Sequence, residues 1–103
     1  MPSIINLAHE YNQYAYTIRP QFARLWISIA YDKEIEQLVI ELHDDKRLVE
    51  FAICDASHGE DALQEIAMRA CEREDNSVFR MLAESKEYAS DVAYIKTINQ
   101  GDR

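Results

Sequence analysis

Cys54, Asp55, Ser57 and His58 fall within five consecutive positions. These are the residue types of nucleophilic catalysis: a thiol or hydroxyl that attacks, an imidazole that takes the proton, and a carboxylate that orients the ring. With His43 as a second candidate base, the junction Cys54-Asp55-Ala56-Ser57-His58 has the components of a small hydrolase or transferase. Two considerations weigh against it. Working triads assemble from distant segments, and Ser57 with Glu60 three positions later spells a capping box, which gives the hydroxyl a structural task. One Cys and one His also fall short of the four ligands of a structural zinc, and His9 and His43 lie elsewhere with no paired ligand beside them. The expectation is no catalytic residue, no metal and no cofactor.

Phosphate cradles need glycines that let the backbone close on the ligand, and this chain has two, Gly59 and Gly101. Neither a P-loop nor a dinucleotide fingerprint can be built from them.

Acidic residues are the other chemical resource. The chain carries 19 Asp and Glu against 11 Lys and Arg, a formal net charge of −8. Contacts to phosphates and anionic lipids come from Lys and Arg, so this balance opposes direct nucleic-acid or membrane-surface binding and favours fast encounter with a basic protein. Helices over 60–73 and 78–88 would have a helix-turn-helix outline. Arg80 and Lys86 are offset there by Glu84 and Glu87, however, the wrong charge for a recognition helix. A sharper reading is mimicry, in which carboxylates replace backbone phosphates in the groove of a basic protein. Glu34 and Glu36 on an extended segment would stand roughly 6.8 Å apart at ~3.4 Å per residue. Asp61 and Glu65 would be about 6 Å apart along a helix, and Asp44 and Asp45 supply a third acidic point.

The elements that must position these groups follow from hydrophobic spacing. Ile4, Ile5, Leu7, Ala8 and Tyr11 recur at helical intervals behind Ser3, and Tyr14, Tyr16 and Ile18 then alternate as a strand until Pro20. Residues 22–31 alternate throughout, with Ala23, Leu25, Ile27, Ile29 and Tyr31 on one face and Phe22, Arg24, Trp26 and Ser28 on the other. A second run sets Leu38, Ile40 and Leu42 against Val39, Glu41 and His43. After the turn Asp44-Asp45-Lys46, residues 47–54 predict a third strand with Val49, Phe51 and Ile53 inward and Glu50 outward. Leu63, Ile66, Ala67, Ala70 and Cys71 then form a helical stripe opposite Asp61, Glu65, Arg69, Glu72 and Arg73. Ser77 is expected to cap a further helix with Val78, Phe79 and Leu82 on its apolar side, and Val92, Ile95 and Ile98 suit a last one after a break at Ser90-Asp91.

The expected fold is α+β: a three- or four-stranded antiparallel meander with a short N-terminal helix and two or three C-terminal helices packed on one face. A length of 103 residues, with 48% hydrophobic and 29% charged residues, fits one globular domain spanning 1–103. No apolar run approaches the ~20 residues that span a bilayer, and no secretory signal opens the chain. A cytoplasmic location is expected, with Cys54 and Cys71 as reduced thiols.

If helices cover the Leu25/Ile27/Ile29 face, then Phe22, Trp26, Val39 and His43 share the other, where an apolar and aromatic patch would mark a contact surface. Size, acidity and a glycine-poor pattern are similar in kind to the small inhibitors that phages and mobile elements direct against host nucleases, a likeness of composition only. The expected role is a non-enzymatic, acidic protein-interaction module. It would act as an inhibitor or regulator of a basic, nucleic-acid-handling protein, possessing the character of a nucleic-acid mimic, with Trp26, Glu34, Glu36, Asp44, Asp45, Asp61 and Glu65 as contact residues. Sheet edges and an uncovered face lead to the expectation of a homodimer. The alternative is the small Cys- or Ser-dependent enzyme at Cys54 to His58.

Overall fold

Apolar residues alternate in two runs, 27–31 and 38–42, and the charge-rich breaks at 33–36 and 44–47 leave room only for tight reversals. The computed structural model describes residues 4–11, 16–85 and 87. In it these runs are β2 (Trp26–Asp32), β3 (Gln37–His43) and β4 (Leu48–Cys54), preceded by a short β1 (Tyr16–Ile18). The antiparallel sheet has the order β1-β2-β3-β4, each strand beside its neighbour in the chain. With helices α1 (Ile4–Tyr11), α2 (Gly59–Arg73) and α3 (Ser77–Glu84), the fold is α+β.

Side-chain chemistry closes both reversals. Asp32 Oδ1 accepts from the Glu34 amide at 2.9 Å, and Glu36 takes the left-handed conformation at φ 56°. Asp44 Oδ1 accepts from the amides of Lys46 at 2.8 Å and Arg47 at 3.0 Å. The Lys46 amide, with the Arg47 amide and guanidinium, outweighs desolvation and holds the Asp44 carboxyl below its ordinary 3.8.

Ile27, Ile29, Leu38, Ile40 and Leu42 form the inner face of the sheet, all 0% exposed, and join one core with the buried residues of all three helices. Ile5 and Ala8 come from α1, Leu63, Ile66, Ala67 and Ala70 from α2, and Phe79 and Leu82 from α3. The stripe read from the α2 sequence is therefore the buried one. Glu74, just past α2, reaches back across the molecule, accepting from the Arg24 amide at 3.1 Å and the Leu25 amide at 3.2 Å.

Four expectations are corrected. The Ser57/Glu60 capping box does not form, because Ala56–His58 make a turn of 3-10 helix and α2 begins at Gly59 without a side-chain cap. Asn76, not Ser77, caps α3, its Oδ1 accepting from Val78 N at 2.8 Å and Phe79 N at 3.4 Å. Strand β2 starts at Trp26 rather than Phe22, since residues 20–23 turn through a Pro20 to Ala23 hydrogen bond with Phe22 at φ 66°. The fourth concerns β4. Leu38, Ile40 and Leu42 pair with Cys54, Ala52 and Glu50, so these face the helices, while Phe51 and Ile53 face away. A register shift at Leu42/His43 sets this phase and leaves Val49 packed against the core edge. Inward Glu50 is met by Arg69 and Arg73 of α2, each at 3.6 Å. The expected Ser3 cap, the Tyr14 part of the first strand and the helix around Val92 to Ile98 lie outside the described residues.

Candidate interaction surface

Because direct cross-strand partners share a face, the register that buries Ile27 against Leu42 places Trp26 beside His43 on the opposite side of the sheet. The two rings stack at 4.1 Å between centroids with planes 8° apart. The Arg19 guanidinium lies 4.8 Å from the centroid of the same indole. Beneath them, Glu41 Oε1 accepts from the Ser28 hydroxyl at 3.3 Å and lies 3.1 Å from His43 Nε2. The half-buried indole is thus held in place before any partner arrives, which lowers the ordering cost of binding.

Beside this cluster β4, an outer strand among the described residues, presents large apolar side chains. Leu48, Phe51 and Ile53 are 44%, 59% and 48% exposed. All the core-forming helices described pack on the other face, so this one combines a fixed aromatic anchor with an apolar margin, the composition of a contact surface. Trp26, Val39 and His43 share it as expected, whereas Phe22, 95% exposed, stands in the turn ahead of β2. Sequence reasoning misses Phe51 and Ile53 because hydrophobicity assigns the Val49/Phe51/Ile53 alternation of β4 to the core, whereas Leu48 falls in the opposite alternation. The signal that could have found them was the small pair Ala52 and Cys54, suited to close approach of a helix.

The expected acidic residues do not gather into one row. Glu34 and Glu36 occupy the β2–β3 reversal, not an extended segment, so the 6.8 Å strand spacing expected for them does not apply. Asp44 and Asp45 lie in the β3–β4 reversal at the opposite end of the sheet, and the Asp44 carboxylate is occupied by its own turn. Asp61 and Glu65 are on α2, where Glu65 pairs with Arg69 at 3.7 Å.

At the Cys54 to His58 junction, Ser57 Oγ is 3.4 Å from His58 Nδ1, and both residues are exposed. Burial, reinforced by the neighbouring Asp55 charge, pushes the Cys54 thiol above its ordinary 9.0. Burial also raises Cys71, and both cysteines are free. A raised thiol is protonated, and inert, at neutral pH. Iodoacetamide should accordingly label Cys54 more slowly than an unstructured peptide thiol at pH 7, with the rate still climbing at a pH where labelling of the peptide thiol has levelled off. Fast labelling at pH 7 would restore the nucleophile reading. Among the described residues, no three His, Cys, Asp or Glu side chains could together hold a metal, and no helix is long and apolar enough to cross a membrane.

No family model, curated protein or solved structure matches this chain.

Proposed function

We propose that this chain is a non-enzymatic interaction protein, an inhibitor or regulator that docks on a basic, nucleic-acid-handling protein through the Trp26 face of its sheet. The observation that carries this reading is the indole fixed by His43 and Arg19 next to exposed Leu48, Phe51 and Ile53. Apolar and aromatic anchors supply most of the binding energy at interfaces, while the −8 charge steers the encounter with a basic surface. Acids at three separated places support steering better than they support a phosphate-like row, so mimicry is the weaker form of the proposal.

Self-association belongs to the same reading. Among the described residues β4 is an outer strand of the sheet, and Leu48–Cys54 contains none of the Pro or Lys that blunt an edge. A second copy pairing antiparallel along it would bring Phe51 and Ile53 of both copies together.

The experiment is a tagged pull-down from host lysate, eluted in rising salt, using the wild type, Trp26→Ala, Phe51→Ser/Ile53→Ser, and charge reversal at Glu34, Glu36 and Asp45, which leaves the Asp44 turn intact. A partner bound through this face should lose about thirtyfold or more in affinity with Trp26→Ala, the scale of an interface hot spot. Charge reversal should chiefly flatten the salt dependence. Capture that is unchanged in both face variants would overturn the proposal. Light scattering should return a dimer mass for the wild type and a monomer for Phe51→Ser/Ile53→Ser.

A further inference from the structure

At the Trp26 end of the sheet, on the side of the helices, lies a cleft of about 620 Å3. Its walls come from four places: the approach to β2, the β3–β4 reversal, the start of β4 and the last turn of α2. Among the described residues, four of the eleven Lys and Arg of this acidic chain line it, Arg24, Lys46, Arg47 and Arg73. Two acids among the described residues share the lining, Asp44 and Asp45, so the described lining carries two more cations than anions, against the sign of the whole molecule.

The acids are also the more fully committed partners. Asp44 is bound by two amides of its own turn, and its remaining oxygen faces Arg47 at 3.6 Å. Arg73 reaches Glu50, behind the lining, through one contact of 3.6 Å. Each guanidinium has five N–H donors, so both arginines keep most of theirs for a ligand. Arg24 and Lys46 have no ion-pair partner among the described residues. Glu74 is taken up by the Arg24 and Leu25 amides, which fixes the backbone at the rim without engaging the Arg24 side chain.

We infer that this cleft binds a small phosphorylated molecule. Guanidinium groups and an ammonium around one cleft suit a phosphate, which accepts several N–H bonds at once and carries more charge than a carboxylate. The volume exceeds that of bare phosphate and falls within the ~300–1,000 Å3 of ordinary small-ligand sites. Val49, half-buried, offers apolar surface for the rest of the ligand, a sugar or base, with the edge of the buried Leu25 beside it. The site is separate from the sheet-face reading, because its cations are not the residues of that face.

Amide NMR at constant ionic strength tests it, with inorganic pyrophosphate, adenosine monophosphate and unphosphorylated adenosine as probes. Both phosphates should give saturable shifts confined to the amides of Arg24, Leu25, Lys46, Arg47, Val49 and Arg73, with adenosine giving none. Arg24→Ala/Lys46→Ala removes two exposed side chains and should weaken both phosphates about tenfold or more, while unchanged far-UV dichroism reports an intact fold. Absence of saturation at millimolar phosphate would overturn the inference. So would shifts spread equally over Arg19, Lys33, Arg69 and Arg80, or binding unaltered in the double variant.

Discussion

Gly59→Val is expected to lower stability by about 3 kcal/mol, the upper end of the cost of overpacking a well-packed core. Gly59 has ordinary helical angles, φ −62° and ψ −39°, so conformational freedom is not what glycine supplies here. It supplies space. A Cβ at this position would overlap Ile5 Cγ2 of α1 and sit 2.7 Å from Leu38 Cδ1 of β3. Those side chains are 2% and 0% exposed, with little room to retreat. Gly59→Ala should cost less, about 1 kcal/mol, because better helix propensity returns part of the loss. Urea unfolding of both variants, and of Ile5→Ala/Gly59→Ala, checks the cause: if the conflict is steric, the double variant loses less than the sum of its singles. A wild-type midpoint for Gly59→Val would refute the close approach of α1.

The second large effect is expected at Glu74. Its carboxylate accepts two backbone amides from a segment about fifty residues earlier in the chain, Arg24 N at 3.1 Å and Leu25 N at 3.2 Å. Leu25 is 6% exposed, so removing its acceptor strands a largely buried donor, whereas the Arg24 amide can turn to water. Glu74→Ala should therefore cost about 2 kcal/mol, within the range for charge-assisted bonds and for an unsatisfied buried group. Glu74→Gln, which keeps one acceptor oxygen, should lose about half as much. Hydrogen exchange at Leu25 provides the local readout and should accelerate in Glu74→Ala more than exchange in the centre of β3. Equal acceleration everywhere would mean that Glu74 acts on global stability alone.

Much of the fold was legible because its periods are clean. Alternation through Ile27, Ile29, Leu38, Ile40 and Leu42 separates the inner face from the outer, and the three-to-four spacing of Leu63, Ile66, Ala67 and Ala70 marks the buried side of α2. The phase of β4 was not legible, because two alternations compete in Leu48–Cys54 and a register shift at Leu42/His43 decides between them. Hydrophobicity favours Phe51 and Ile53 for the core. Packing favours Ala52 and Cys54, which let α2 lie close while Arg69 and Arg73 neutralise Glu50. The Trp26 side of the candidate surface followed directly from alternation. Its Phe51 and Ile53 side did not, for this same reason. The cation-rich cleft was hidden differently: Arg24, the Lys46/Arg47 pair and Arg73 are far apart in sequence, and local composition around Asp44 and Asp45 reads as acidic.

The strand order β1-β2-β3-β4 also bears on how quickly the sheet can assemble. Every ladder joins strands that are consecutive in the chain, so each pairing closes only a short loop, with little entropy lost before hydrogen bonds begin to form. Low sequence separation between contacting residues is associated with rapid folding. In this protein that advantage belongs to the meander. The seat of α1 on Gly59 and the Glu74 clamp on the segment ahead of β2 join distant parts of the chain, so these contacts close longer loops.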